Sequence, residues 1–388
     1  MTRARGGGPR RVLFVCHQAT RTGAPIVLLR LIRWLRAETN IEPEIVLLTG
    51  GALEPAFREL GRTTVLDPNG RSSFSQRLET ALESIGLVRS AGRLRGIRYR
   101  FRLRRAKQAE VVYLNSCASF GIARYLPRGP RLVAHVHELE MGLRRGIPRS
   151  LVWSRFVAEV HLFIAVADCV AENLAANWAV PRQKIRTHHG FIDVTELAST
   201  KPVSLPASNG RAVVGGCGTL KWSKGADLFV HVAAEVCRRR SDIDFVWLGG
   251  AVSELDRWNV EYEIRAFGIT DRVHLIDEKP DAISYLSAFD VLALTGREDP
   301  FSLVALEASA VGTSVVAFDN GGVREWITPS CGRLVPYRDV EAMTDALVEL
   351  VDDADSRAAL GAAAAEIVWA RYDVTAVAPR LWADVAAC

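Results

Sequence analysis

Two segments carry residues whose types and spacing could do chemistry together. Arg297–Glu307 reads REDPFSLVALE, and upstream Gly216–Gly225 reads GCGTLKWSKG. Asp299 followed by Pro300 is a good helix start, with Asp as N-cap and Pro at the first helical position, where no N–H is missed. The apolar run Phe301–Leu306 continues that helix, and Glu307 comes eight residues past Asp299. Eight residues advance roughly 12 Å along an axis and return the side chain to within about a quarter-turn of the starting face. The amides of Phe301, Ser302 and Leu303 would then face an anion between the two acids, aided by the helix dipole. The glycine-rich turn adds cations, Lys221 and Lys224, beside Gly218 and Thr219. Together these groups suit a molecule with a diphosphate in its middle and hydroxyl-rich ends, which is the shape of a nucleotide sugar. The plain alternative is that Asp299 only caps a helix and Glu307 lies on a solvated face. For Glu307 the apolar neighbours Leu306, Ala308 and Ala310 argue against it, because a buried acid needs a partner.

These residues resemble a known family, the large retaining glycosyltransferase family 4 with the GT-B fold, and the resemblance runs over nearly the whole chain. Its E-x7-E motif holds sugar hydroxyls with the first acid and ribose hydroxyls with the second. Here the first position is Asp299, with Glu298 beside it, and the second is Glu307. Where the family is glycine-rich after the first acid, this chain has Pro300-Phe301-Ser302. The family's G-R-L…K-G, whose Arg and Lys bind the diphosphate, is matched by Gly218-Thr219-Leu220…Lys224-Gly225. Lys224 keeps the lysine and Thr219 replaces the arginine, so either Lys221 or the helix N-terminus must make up the charge.

The N-terminal half extends the resemblance. Arg11–Cys16 (RVLFVC) reads as a buried strand, and the turn Thr20–Pro25 (TRTGAP) leads into a helix with Ile26, Leu29, Ile32 and Leu35 at helical spacing. In the family such a glycine turn closes over the bond being made, which makes Gly23 a site candidate; an ordinary strand-to-helix turn is the alternative. Arg131–Glu138 (RLVAHVHE) reads as a strand ending at His137, the position matching a family histidine that touches the transferred sugar. His135 and His137 fall on one strand face, which also fits a two-histidine metal site, but no third ligand follows at a convincing spacing, so no metal is expected. His188–Asp193 (HHGFID) stands near the family's Asn-Gly-x-Asp turn and reads as a turn first.

Short apolar runs alternate with helical stretches along the chain. Strands are expected at Arg11–Cys16, Pro43–Leu48, Glu110–Leu114, Arg131–Val136, Leu162–Ala165, Ala212–Cys217, Asp244–Leu248, Arg272–Leu275, Val291–Leu294 and Ser314–Phe318. This alternation argues an α/β fold with parallel sheets covered on both faces. The stretch Ser199–Gly210, rich in Pro, Ser, Thr and Gly, is the best linker. The resemblance implies two doubly wound, Rossmann-like domains facing each other across a cleft. An acceptor-binding domain would span 1–200 and a nucleotide-sugar-binding domain 211–371, with the helix 372–388 packing back on the first.

The 388 residues suffice for two domains, and 49% hydrophobic with 24% charged residues is the balance of a soluble globular protein. No apolar run approaches the ~20 residues that span a bilayer. The opening MTRARGGGPR lacks the apolar core of a signal peptide and reads as a tail. Seven scattered cysteines without a C-x-x-C pair point to a reduced, cytoplasmic protein with no zinc knuckle. Charge is uneven: residues 1–110 hold 21 Lys/Arg against 9 Asp/Glu, while the whole chain is +5. Much of the excess lies in Arg89–Lys107, with eight Arg and one Lys, where Leu94, Ile97 and Phe101 recur at helical spacing. An amphipathic basic helix there would suit peripheral contact with an anionic membrane, placing the protein at its inner face; a solvated basic face or a loop for an acidic substrate are the alternatives. No nucleic-acid-binding module accompanies the charge. Asp242-Ile243-Asp244 and Asp353-Ala354-Asp355 are D-x-D matches expected by chance, and there is no G-x-G-x-x-G opening a helix and no P-loop.

The function these readings imply is a metal-independent transferase using a nucleotide-diphosphate sugar, with no further cofactor. Lys224 and the Phe301–Leu303 amides would take up charge on the leaving diphosphate. Asp299, with Glu298 in reserve, and His137 would orient the sugar, and Glu307 would hold the ribose. Retention follows from the resemblance alone. Two alternatives remain: a GT-B enzyme of other chemistry, such as an epimerase or inverting transferase, and a non-catalytic GT-B partner subunit.

Overall fold

The computed structural model describes residues 11–68, 74–84, 87–149, 151–197, 200–206 and 210–388. The N-terminal tail 1–10 and parts of the expected linker lie outside them, as do the side chains of Arg89 and Arg105. The chain forms two compact units: the residues up to His189 with Ala378–Cys388, and Gly190–Val377. The division thus falls before the Ser199–Gly210 stretch, and again at 377/378 inside the last helix, Val374–Ala387.

The first unit is built on seven strands. They are β1 (Arg11–Gln18), β2 (Glu42–Thr49), β3 (Arg62–Asp67), β4 (Val111–Asn115), β5 (Arg131–Val136), β6 (Leu162–Ala165) and β7 (Ile185–Thr187). The second has six: β8 (Ala212–Cys217), β9 (Ile243–Leu248), β10 (Val273–Ile276), β11 (Val291–Leu294), β12 (Ser314–Phe318) and β13 (Arg333–Val335). All pairs are parallel, in the orders β3-β2-β1-β4-β5-β6-β7 and β10-β9-β8-β11-β12-β13. Strands buried on both faces read as continuous apolar runs, which is why β1, β4 and β9 were plain in the sequence. Their side chains, among them Phe14, Tyr113, Phe245 and Trp247, are almost wholly removed from water. Each large apolar side chain so buried contributes ~1.5–3 kcal/mol.

Both orders double back once. In the first sheet the chain runs outward from β1 to β3 and returns to the other side of β1 at β4; in the second it does the same between β8 and β11. At such a switch point the flanking connections leave in opposite directions and open a crevice at the strands' carboxyl ends. The residues after β1 and β4, and those after β8 and β11, therefore define where each unit can hold a ligand.

Candidate functional site

In the second unit, β8 ends at Cys217 and the chain passes through Gly218, whose carbonyl accepts from Trp247 Nε1 at 2.8 Å. Thr219 follows, half-buried. Lys221 is exposed at the start of a short 3-10 turn, Trp222–Lys224. Gly225 then opens the helix Ala226–Arg239 with φ +68, and a Cβ there would lie 1.9 Å from the Thr295 carbonyl oxygen. Only glycine fits, and the close approach brings the post-β8 turn against the segment after β11. Thr295 Oγ1 donates to the Gly225 carbonyl at 2.8 Å, sealing the contact.

The segment after β11 is held by Arg297. Its guanidinium forms a fork on Asp227, 2.7 Å and 2.5 Å, and lies 4.8 Å over the Trp222 ring. Bidentate, charge-assisted bonds of this kind fix geometry as well as adding energy. The Arg297 and Glu298 amides both donate to the Ser223 carbonyl, at 2.9 and 3.3 Å. Gly321, with φ +67, passes so close that a Cβ would sit 2.1 Å from the Asp299 carbonyl oxygen. Asp299 is thereby fixed at the carboxyl edge of the sheet, and Lys224 Nζ reaches its Oδ2 at 3.0 Å.

The helix expected from Asp299 begins later. Ser302 is its N-cap, with Oγ accepting from the Ala305 amide at 3.3 Å, and the helix is Leu303–Ala310. Asp299 does not cap because its carboxylate is engaged with Lys224 and its carbonyl with the Gly322 amide, 3.2 Å away. The amides at the helix start are accordingly those of Leu303 to Ala305, not Phe301 to Leu303. The Phe301 side chain is buried with its ring 5.5 Å from that of Tyr372. Glu307 lies four residues into the helix, about 6 Å along its axis, and not 12 Å past a cap at Asp299. It is 9% exposed, and its charge, after burial, is the next cause that pushes the Cys217 thiol up to about 12, with Lys224 opposing it. Glu307, Cys217 and Lys224 are thus electrostatic neighbours. The second unit joins Gly218, Lys224, Asp299, Leu303 and Glu307 around one switch point.

The first unit has its own polar cluster at the β1/β4 switch. Asn115, the last residue of β4, is fully buried; its Nδ2 donates to the Ala24 carbonyl at 2.9 Å and its Oδ1 lies 2.9 Å from His137 Nε2. Gly23 opens the helix Gly23–Glu38 beside that carbonyl. One asparagine therefore links the two N-terminal candidates, Gly23 and His137. Ser116 next to it has φ +74, a costly conformation for a residue with a side chain. Glu138 braces it: the Ser116 hydroxyl donates to Glu138 Oε1, and the Cys117 and His137 amides donate to Oε2 at 3.2 and 3.0 Å. His135 pairs with the Tyr113 hydroxyl at 2.7 Å inside the sheet, with its ring centre 4.0 Å from that of His137.

Burial pushes the His137 imidazole down to about 3, with repulsion from His17 adding to it, and pushes His17 down to about 4. Both rings are neutral near pH 7 and serve as hydrogen-bonding groups, not charges. Among the described residues of either unit by itself, no three His, Cys, Asp or Glu ligand atoms converge as a metal site would need. Nor does His188 join a site: its Nε2 lies 2.8 Å from Asp384 Oδ2. Asn115, Ser116, Arg297 and Asp227 escaped the sequence reading. A glycine before a helix pairs in the sequence with nothing that marks Asn115, although β4's place at the switch would have singled it out.

Residues 21–196 match glycosyltransferase family 4, and residues 211–353 match glycosyl transferases group 1. The chain belongs to glycosyltransferase family 4. Among its relatives, the D-inositol 3-phosphate glycosyltransferase of Corynebacterium diphtheriae is 35% identical over 157 residues, 38% of this chain and 36% of that one. The GDP-mannose-dependent monoacylated alpha-(1-6)-phosphatidylinositol monomannoside mannosyltransferase of Corynebacterium glutamicum is 29% identical over 214 residues, 52% of this chain and 51% of that one. The chain thus spans about a third to a half of the length of the curated relatives it matches. The Anabaena protein Alr3699/HepE, solved in complex with UDP and glucose, is 17% identical with a TM-score of 0.78 over 97% of this chain and 99% of that one. The fold of this family 4 member is GT-B, with its two Rossmann-like sheets of seven and six strands.

Proposed function

We propose that this chain transfers a sugar from a nucleotide-diphosphate sugar to an acceptor hydroxyl, with retention of anomeric configuration and without a metal ion. The observation that carries the reading is the Lys224–Asp299 pair at the β8/β11 switch, with Glu307 on the adjoining helix. A diphosphate would take Lys224 from Asp299 and lie against the Leu303 and Val304 amides, which are favoured anion donors. Asp299, released, would accept from hydroxyls of the sugar, and Glu307 would accept from the ribose hydroxyls. Glu298 is the reserve acid for the sugar. In the first unit, neutral His137, oriented by Asn115, would donate to or accept from a hydroxyl of the transferred sugar. Gly23 lets backbone approach the reacting bond.

The reaction balances without a covalent intermediate. The acceptor oxygen bonds to the anomeric carbon on the face from which the diphosphate departs, the carbon–diphosphate bond breaks, and the acceptor proton passes to the leaving phosphate oxygen. Lys224 and the helix amides stabilise the charge that develops there. Peripheral contact of Arg89–Lys107 with an anionic membrane belongs to the same reading, since it would bring the enzyme to an acceptor carried at that surface.

The named neighbours differ in their nucleotide, one solved with UDP and one described as GDP-mannose-dependent, so the test is a panel. Thermal midpoints are measured with nucleoside diphosphates and nucleotide sugars, with and without Mg²⁺, for the wild type and Lys224→Ala. A ligand at 100 times its dissociation constant adds ~2.7 kcal/mol of stability. The reading expects one nucleotide to raise the midpoint without metal and Lys224→Ala to abolish the rise. Absence of any shift, or a strict need for metal, overturns it.

A further inference from the structure

In the helix Val88–Arg102, Arg95, Arg98 and Arg102 turn inward while Ile97 and Phe101 point out. Arg98 is buried, with Nε and Nη2 donating to the two Glu79 oxygens at 2.9 and 3.0 Å and Nη1 donating to the Leu66 carbonyl at 2.7 Å. Arg95 reaches Glu79 and Glu83 at 3.2 and 2.6 Å, and Arg102 donates to the Val65 and Leu66 carbonyls at 2.6 and 3.0 Å. At about 100° per residue these three arginines share one face of the helix, and Ile97 and Phe101 fall some 90° or more away from its centre. Ile97 and Phe101 are each 64% exposed. Arg93, Arg100, Arg104 and Lys107 are exposed around them, with the Arg104 guanidinium 4.5 Å over the Phe101 ring. Of the Leu94, Ile97 and Phe101 stripe, Ile97 and Phe101 thus face outward, and half-buried Leu94 only borders them.

We infer that this outward face is the membrane-reading element. Ile97 and Phe101 enter the boundary between headgroups and acyl chains, and Arg93, Arg100, Arg104 and Lys107 pair with anionic lipid phosphates. Arg95, Arg98 and Arg102 hold the helix in place and take no part. Residues 88–108 contain no acid, so any occupant must supply the negative charge. Two protruding apolar side chains offer little beside the ~800 Å² that each partner gives a stable protein interface, but they suit shallow insertion assisted by cations. This inference rests on the proposed peripheral contact and deepens it by naming the side chains that make it.

The test is co-sedimentation of the full chain with vesicles of phosphatidylcholine alone and of phosphatidylcholine with about one third phosphatidylglycerol. The wild type is expected to bind the anionic vesicles and to lose them as salt rises. The double variant Ile97→Gln/Phe101→Gln is expected to bind about tenfold or more weaker. Arg93→Gln/Lys107→Gln is expected to bind about 25-fold weaker, at roughly fivefold per cation. Thermal midpoints should stay at the wild-type value, because the altered side chains are exposed. A wild type with no preference for anionic vesicles defeats the membrane contact itself. A wild type that binds while both variants bind equally well defeats the assignment of the face. Loss of a dimer in the variants without vesicles would make the face a protein interface and overturn the inference. The nucleotide-induced rise in midpoint, followed on the same samples, reports the donor reading independently.

Discussion

Lys224 Nζ lies 3.0 Å from Asp299 Oδ2, and this pair ties together two segments 75 residues apart at the point where the second sheet reverses direction. The two side chains are 31% and 19% exposed, so solvent screens the pair and its contribution to stability is about 0–1 kcal/mol. Neither group is needed to hold the fold. Their arrangement has more to offer a ligand that brings both a phosphate and a hydroxyl.

Lys224→Ala and Asp299→Asn should therefore change unfolding free energy by less than about 1 kcal/mol, while turnover of a nucleotide sugar falls on the order of 100-fold. Urea unfolding and donor hydrolysis or transfer, measured on the same preparations, separate the two quantities. If stability and activity fall together, the pair is a structural tie and the donor site lies elsewhere.

Arg297 behaves differently, since its side chain is 8% exposed and both terminal nitrogens are committed to Asp227. Asp227 in turn is held below the usual carboxylate range by Arg297, against the opposing effect of its burial. Asp227→Asn should cost about 2–4 kcal/mol, because it leaves a buried cation without its counter-charge. It should also weaken nucleotide binding, since Asp299 sits two residues along from the anchor. Replacing both partners, as Arg297→Met/Asp227→Leu, should restore part of the stability. A double-mutant cycle by urea unfolding reads the coupling, and additive single losses would show that the fork is not what positions this segment.

All ten strands expected from the sequence are present; nine are central in their sheets, and the tenth, β10, is an edge whose Val273-His274-Leu275-Ile276 is still largely apolar. The three that went unread, β3, β7 and β13, are edges; Arg62–Asp67 (RTTVLD), Ile185-Arg186-Thr187 and Arg333-Leu334-Val335 mix polar with apolar residues, as edge strands commonly do. Lys224, Asp299 and Glu307 were legible as residues, whereas the helix start was not. Asp-Pro has the local chemistry of a cap, but the long-range bond from Lys224 and the approach of Gly321 took Asp299 out of that role, leaving Ser302 to cap. The carboxylate and carbonyl partners of Arg95, Arg98 and Arg102 lie on other elements, so no periodicity within the helix could show which of its arginines turn inward. Asn115 and Ser116 were invisible for a similar reason: their importance comes from lying at a switch point that exists only once the strands are ordered.

His17 offers a prediction about pH whose sign is fixed by its environment. Burial pushes its folded-state pKa down to about 4 from 6.5, and nothing comparable holds in the unfolded chain. Between those values the unfolded chain binds the proton and the folded one does not, so acidification favours unfolding. The stability contributed by keeping this ring neutral is fully present above pH 6.5 and is lost as pH falls through 4. His17→Gln removes the titration, and it also removes a repulsion that helps depress His137. The variant's unfolding free energy, from urea titration, should therefore decline less than the wild type's from pH 7 to about 4.5, by on the order of 2 kcal/mol after allowing for partial exposure. Carboxylates titrate in both proteins and cancel in the difference. Parallel pH profiles would mean that His17 takes up its proton in the folded protein near the ordinary imidazole pKa, and that its burial does not set the acid sensitivity of the fold.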